Sequence, residues 1–164
     1  MMGHEEHKHN APEHVKCGVI TVSDTRDVDT DESGKKIREM LMEEEHEIVG
    51  YEIVKDDLEE IKSVIESIDA EVYILNGGTG ISNRDVTTDV LMEIIEKEIP
   101  GFGEAFRRLS FHEIGSASIL SRALAGISKE EIYFALPGST SAVELAMEKL
   151  ILPEIGHMVY EVNK

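Results

Sequence analysis

The sequence predicts an α/β fold, a doubly wound and mainly parallel sheet with helices on both faces. Short β-rich apolar runs alternate with stretches of helical period, the pattern of strands joined by crossover helices. One run, AEVYILN over 70–76, is apolar enough to be buried on both faces of a parallel sheet. The 164 residues, 41% of them hydrophobic, suit one domain with a sizeable core. We expect that domain to cover 15–164, after a polar stretch at 1–14 that holds four of the seven histidines.

The elements follow in order. Residues 1–14 show no apolar period and read as a flexible His-rich tail, where His4, His7, His9 and His14 are able to collect metal ions. VKCGVITV (15–22) reads as the first strand, with Cys17 buried and inert inside it. A polar loop, SDTRDVDTDES, leads to GKKIREMLMEEE, a helix from 34 with Ile37 and Leu41 on one face. EIVGYEIV (47–54) is the second strand. LEEIKSVIESI (58–68) is a helix with Leu58, Ile61, Ile65 and Ile68 on one side, capped by Asp57 with Glu60 three residues on. The strand at 70–76 is followed by NGGTGISNRD and a helix over about 86–97, for which Asp85 is a good N-cap. EIYFAL (131–136) is a further strand. The rest of the chain reads as mostly helical, with a capping box at Ser141 and Glu144 and a break at Pro153.

The formal net charge of -18 argues against a protein that grips nucleic acid or an anionic membrane. A small anionic ligand has to be held locally, by backbone N–H groups, a few basic side chains and a divalent cation. No apolar stretch approaches the roughly 20 residues that cross a bilayer, and the expected location is cytoplasmic.

In an open parallel sheet, ligands collect beyond the carboxyl ends of the strands. That places four junctions in view: Ser23 to Asp31, Asp56 to Asp57, Gly77 to Asp85, and Pro137 to Ser141. At the third, Gly77, Gly78 and Gly80 let the backbone turn freely and leave no Cβ between it and an anion. The loop lacks the Lys-Ser/Thr pair of a Walker motif and the spacing of a dinucleotide fingerprint; taken alone it also fits a tight strand-to-helix turn. Asp56 stands outside the helix that Asp57 caps, a spare carboxylate suited to Mg²⁺ or to solvent. Arg84, Arg107, Arg108 and Arg122 are candidate phosphate contacts, with Arg84 and Arg122 favoured by their neighbours.

Six motifs in order, GVITVSD, VKDD, NGGTGISNRDVTTD, PGFGEAFRRLSFHEIG, LSRALAG and ALPGSTSAVE, resemble the MogA/MoaB family of molybdenum cofactor biosynthesis proteins. The resemblance runs from about Lys16 to Pro153, extends to the corresponding domains of gephyrin, and is nearer the MoaB branch. It implies a molybdopterin-binding domain that, in active members, transfers AMP from Mg-ATP to the terminal phosphate of molybdopterin and releases pyrophosphate. Residue by residue, it implies catalytic and Mg²⁺-holding roles for Asp56 and Asp85. Gly77, Gly78, Thr79, Gly80, Ser121, Pro137, Gly138 and Ser139 match its pterin- and phosphate-binding positions; Ser23, Asp24, Arg84 and Arg122 are candidates for the nucleotide side. The family also implies a homo-oligomer, trimer or hexamer, and a molybdate-insertion enzyme as partner. Thr88 stands where many relatives carry proline. A different class of function, a molybdopterin carrier without turnover, fits the same motifs.

Overall fold

The computed structural model describes residues 10–164. Strands β1 (Lys16–Val22), β2 (Glu47–Val54) and β3 (Val72–Asn76) run parallel to one another and to β6 (Glu131–Leu136). Two further strands, β4 (Lys97–Glu98) and β5 (Leu124–Ser128), complete a six-stranded sheet in the order β2-β1-β3-β6-β5-β4. β5 is antiparallel to β6, and β4 to β5, so the expected mainly parallel sheet carries an antiparallel edge.

Side-chain alternation divides the core into two layers. Cys17, Val19, Val72, Ile74 and Phe134 face α1 (Glu32–Glu43), α4 (Pro100–Ile114), α5 (Thr140–Ala146) and α6 (Leu152–Val162). Ile20, Val22, Tyr73, Leu75 and Tyr133 face α2 (Leu58–Ser67) and α3 (Thr87–Ile94). Ile20, Ile74 and Phe134 are fully buried; truncating any one to Ala costs about 2–5 kcal/mol. Burial, and secondarily the charge of Glu71, pushes the Cys17 thiol up to about 12, so it is the inert core residue expected.

Several elements depart from the sequence reading. α1 begins at Glu32, two residues early, because Asp31 caps it through Gly34 N–H at 3.0 Å. α3 stops at Ile94, and the chain then pairs as β4. At the end of the chain there is no break at Pro153. A π turn over Met147–Ile151 joins α5 to α6 and absorbs the mismatch, leaving Pro153 in the first turn of α6, where its missing N–H costs little. Of the expected tail, residues 1–9, with His4, His7 and His9, lie outside the described residues. His14 Nδ1 lies 2.8 Å from the Glu45 carbonyl, and Pro12 lies against Gly156 of α6.

Winding sets the location of the site. From β1 the chain steps outward to β2, then returns past β1 to β3 and onward to β6. The order therefore reverses between β1 and β3, and their carboxyl ends open a crevice there. Among the described residues, no helix is long and apolar enough to cross a membrane.

Candidate functional site

All four junctions singled out in the sequence emerge at the carboxyl edge of the parallel strands. Ser121 and Arg122 join them, because antiparallel β5 starts at that edge, with Leu124 opposite Ala135. The structure thus brings together residues spread from 23 to 139.

The loop after β3 is held at both ends. Gly77 N–H donates to the Leu136 carbonyl (2.9 Å) and Thr87 N–H to the Gly78 carbonyl (3.0 Å). Between these anchors, the N–H groups of Gly78, Thr79 and Gly80 take no acceptor among the described residues, which leaves them available to an anion. Gly77 and Gly78 have φ of +94° and +70°, conformations that glycine adopts without penalty. Packing requires glycine as well. A Cβ on Gly77 would lie 2.2 Å from the Val22 carbonyl oxygen, and one on Gly78 2.3 Å from Thr87 Oγ1. Two buried side-chain atoms among the described residues lack a hydrogen-bond partner, Asn76 Oδ1 and Thr87 Oγ1, and they flank this loop. Thr79 is itself buried.

Both expected carboxylates reach the same loop. Asp56 Oδ1 would lie 3.0 Å from a Cβ on Gly78, and Asp85 Oδ2 2.7 Å from one on Gly80. Asp24 joins them: its Oδ1 accepts Asp56 N–H (3.1 Å) and its Oδ2 pairs with Arg84 Nη2 (3.3 Å). Burial, then the charges of Asp24 and Asp85, holds the Asp56 carboxyl above the ordinary aspartate range, with Arg84 opposing. Three acidic groups thus stand at close quarters, with Arg84 as their basic neighbour. Among the described residues no set of three or more His, Cys, Asp or Glu side chains forms a metal cage. Two carboxylates with open positions suit Mg²⁺, which keeps waters and substrate phosphates as its remaining ligands.

The caps behave differently from the sequence reading at two helices. Asp85 does not cap α3. Val86 occupies that position with no side-chain bond, and Asp85 Oδ2 instead accepts Ser82 N–H (3.0 Å), closing the loop 82–85 on itself. At α5 the capping residue is Ser139, whose Oγ accepts Ala142 N–H (3.3 Å), so its hydroxyl does serve the helix; the Ser141–Glu144 box is not formed, and Glu144 pairs with Lys36 (3.1 Å). Asp57 does cap α2, accepting Glu60 N–H at 2.9 Å, and this frees Asp56 as expected.

Arg122, expected at a phosphate, is spent on the protein. Its Nε donates to the Gly80 carbonyl (2.7 Å) and its Nη2 to the Asp85 carbonyl (2.8 Å), while Asp89 takes a bidentate pair at 2.9 and 3.0 Å. Its backbone N–H donates to the Thr79 carbonyl (2.8 Å). Arg107 likewise ties the carbonyls of Ser121 and Ala123. Arg84 differs, with 81% of its side chain exposed and Asp24 as its ion-pair partner. Ser23 shapes the first loop, its Oγ accepting the N–H groups of Thr25 and Arg26. Sequence reasoning missed Arg26, which bonds Ser33 Oγ (2.5 Å) and the Gly138 carbonyl (3.0 Å). It also missed Asp31, the buried cap of α1.

Comparison with known proteins agrees with this fold. A family model described as a probable molybdopterin binding domain matches residues 18–157. The chain is 48% identical to molybdenum cofactor biosynthesis protein B of Bacillus cereus, over 97% of each, and 50% identical to that of Bacillus subtilis, over 99% of each. A crystal structure of a molybdenum cofactor biosynthesis protein B superposes with a TM-score of 0.89 at 47% identity, covering 94% of this chain and 99% of that one. The tungsten cofactor synthesizing protein MoaB from Pyrococcus furiosus superposes at 0.85 with 38% identity, covering 94% of this chain and all of its own. Identity near one half over almost the full length of both chains, with superposition of the whole fold, means that the chain belongs to the MoaB branch of the molybdenum cofactor biosynthesis proteins.

Proposed function

We propose that this protein is a molybdopterin adenylyltransferase. A terminal phosphate oxygen of molybdopterin attacks the α-phosphorus of ATP, the bond from that phosphorus to the β-phosphate bridging oxygen breaks, and pyrophosphate leaves. The observation that carries the reading is one crevice in which unclaimed N–H groups at 78–80 adjoin Asp56 and Asp85. Such a transfer brings several negative charges together, and its catalysis is mostly positioning and charge neutralisation. The glycine loop and the Pro137–Ser139 turn orient the pterin phosphate, and exposed Arg84 swings to the triphosphate with Ser23 and Asp24 beside it. Asp56 and Asp85 would hold Mg²⁺, which when bound neutralises the triphosphate charge.

The test is pyrophosphate release from Mg-ATP with and without molybdopterin, in wild type and Asp85→Ala. Pterin-dependent release that is lost in the variant is expected. Tight pterin binding with no release would instead assign the carrier role. We also infer homo-oligomerisation, as trimer or hexamer. The support is an exposed apolar run at the end of α4 and the 3₁₀ turn after it: Phe111, Ile114, Ile119 and Leu120, with Ile119 74% exposed.

A further inference from the structure

Beneath the crevice lies a buried polar cluster for which the transfer chemistry above has no use. Its centre is Asp31, 1% exposed. Asp31 Oδ2 accepts the hydroxyls of Thr21 (2.6 Å) and Tyr51 (2.5 Å), and Oδ1 accepts Gly34 N–H (3.0 Å) with Arg26 Nη1 at 3.8 Å. Thr21 Oγ1 in turn accepts Asn76 Nδ2 (2.9 Å). Space is so tight that a Cβ on Gly34 would lie 2.1 Å from Asp31 Oδ2 and 2.6 Å from Thr21 Oγ1.

The chain of bonds has a direction. An ionised carboxylate only accepts, so Thr21 spends its single proton on Asp31 and offers lone pairs alone to Asn76. Asn76 must therefore turn its NH₂ toward Thr21 and its Oδ1 away. Asn76 is the last residue of β3 and is bonded directly to Gly77, the start of the glycine loop. A second branch leaves from the other oxygen. Arg26, beside Oδ1, and Ser33, two residues into the helix that Asp31 caps, both donate to the Gly138 carbonyl, at 3.0 and 2.8 Å. One buried carboxylate thus reaches three of the four loops that form the crevice.

We propose that Asp31 is a positioning residue whose charge, relayed through Thr21 to Asn76 and through Arg26 and Ser33 to Gly138, sets the geometry of the glycine loop and its facing turn. The effect on turnover rests on the adenylyltransferase reading; the effect on the loop does not. Helix capping alone gives Asp31 a structural role but assigns none to the Thr21 hydroxyl. Asn at 31 has one acceptor oxygen for two sets of donors, and must release either the cap or the two hydroxyls.

The experiment compares wild type with Asp31→Asn, Thr21→Val and Thr21→Ser. It reads pterin-dependent pyrophosphate release, amide hydrogen exchange at the loop anchors Gly77 and Thr87, and the unfolding midpoint. Thr21→Val keeps the shape and deletes the relay, and Thr21→Ser restores the hydroxyl. Small displacements of positioning groups are costly, so kcat should fall about tenfold or more in Asp31→Asn and Thr21→Val while KM for ATP stays within about threefold. Exchange at Gly77 and Thr87, whose N–H groups anchor the two ends of the loop, should quicken about tenfold as the loop opens more often. Thr21→Ser should track wild type in both. Wild-type exchange and kcat in Thr21→Val would overturn the proposal, even if Asp31→Asn is impaired or fails to fold. Should wild type release no pyrophosphate at all, the functional reading fails by itself. The exchange rates in Thr21→Val then decide: accelerated supports the relay, unchanged refutes it.

Discussion

Replacing Arg122 with Ala separates a brace from a substrate contact. The side chain makes two charge-assisted bonds to loop carbonyls and a fork onto Asp89. Hydrogen bonds to a charged group contribute about 1.5–3 kcal/mol each. About a third of the Arg122 side chain and half of Asp89 are exposed, which takes the first two toward the lower figure and limits the ion pair to about 1 kcal/mol or less. The expected loss is therefore about 3 kcal/mol, or roughly 6–12 °C in the unfolding midpoint of a domain of this size. Urea unfolding of wild type, Arg122→Ala and Arg122→Lys measures it. Lys keeps the charge but lacks the planar fork, and should recover less than half of the loss. Because the brace holds the loop beside Asp85, affinity for pterin should fall along with stability. A variant within about 0.5 kcal/mol of wild type, the scale of an ordinary surface change, but with a raised KM for ATP would refute the brace and restore Arg122 to the triphosphate.

Gly78→Ala forces a side chain into φ +70° with its Cβ 2.3 Å from Thr87 Oγ1. It should cost about 2 kcal/mol or more in thermal unfolding, whereas Gly101→Ala, with open space around it, should cost nothing. His46 Nδ1 accepts Val15 N–H, and burial holds the ring below the ordinary histidine value. The unfolded chain therefore binds a proton first as pH falls below about 6.5. The His46 contribution is complete above that pH and is lost as pH drops toward the folded value; urea midpoints at pH 7 and 5.5 should converge in His46→Asn. Asp56 has the opposite sign. Its raised carboxyl is a cost at neutral pH, relieved as pH falls through the folded value, so Asp56→Asn without metal should lose no stability at pH 7. Millimolar Mg²⁺ should raise the midpoint of wild type and leave that of Asp56→Asn unmoved. Ile119→Glu puts a charge on the exposed apolar run and should reduce the proposed oligomer to monomers by light scattering.

The parallel half of the sheet was legible because its strands announce themselves. Val72–Asn76 is buried at all five positions, and Leu58, Ile61 and Ile65 recur at helical spacing. Strand β5 was not, since LAGIS is short and Gly126 is tolerated only where Ile95 leaves no room for a Cβ. Its hairpin turn places Lys129 at φ +55° with no Asn-Gly signal to reveal it. Helix α4 was passed over although Phe102, Phe106 and Ser110 mark one buried face behind Pro100. In the site, the glycines and both aspartates were readable as types at junctions. Their partners were not: whether Asp85 bonds forward to a helix or back to Ser82, and whether Arg122 faces ligand or backbone, depends on contacts more than 30 residues apart in several cases.

The charge of the chain sharpens the reading of the crevice. A protein of net charge -18 repels a triphosphate at long range, and Arg122, which sequence reasoning would have set against that field, is already neutralised by Asp89. What remains is short-range: the three backbone N–H groups at 78–80 and Arg84, which is paired with Asp24 but 81% exposed. Asp56 and Asp85 add to the repulsion, so under the proposed function a cation held by them would couple the binding of nucleotide and metal through charge. Under that reading neither partner is well held without the other. The glycine loop makes this coupling possible, because Gly78 and Gly80 admit both carboxylates to within contact of the same backbone that offers its N–H groups to phosphate. A side chain at either position would push those carboxylates away from that backbone.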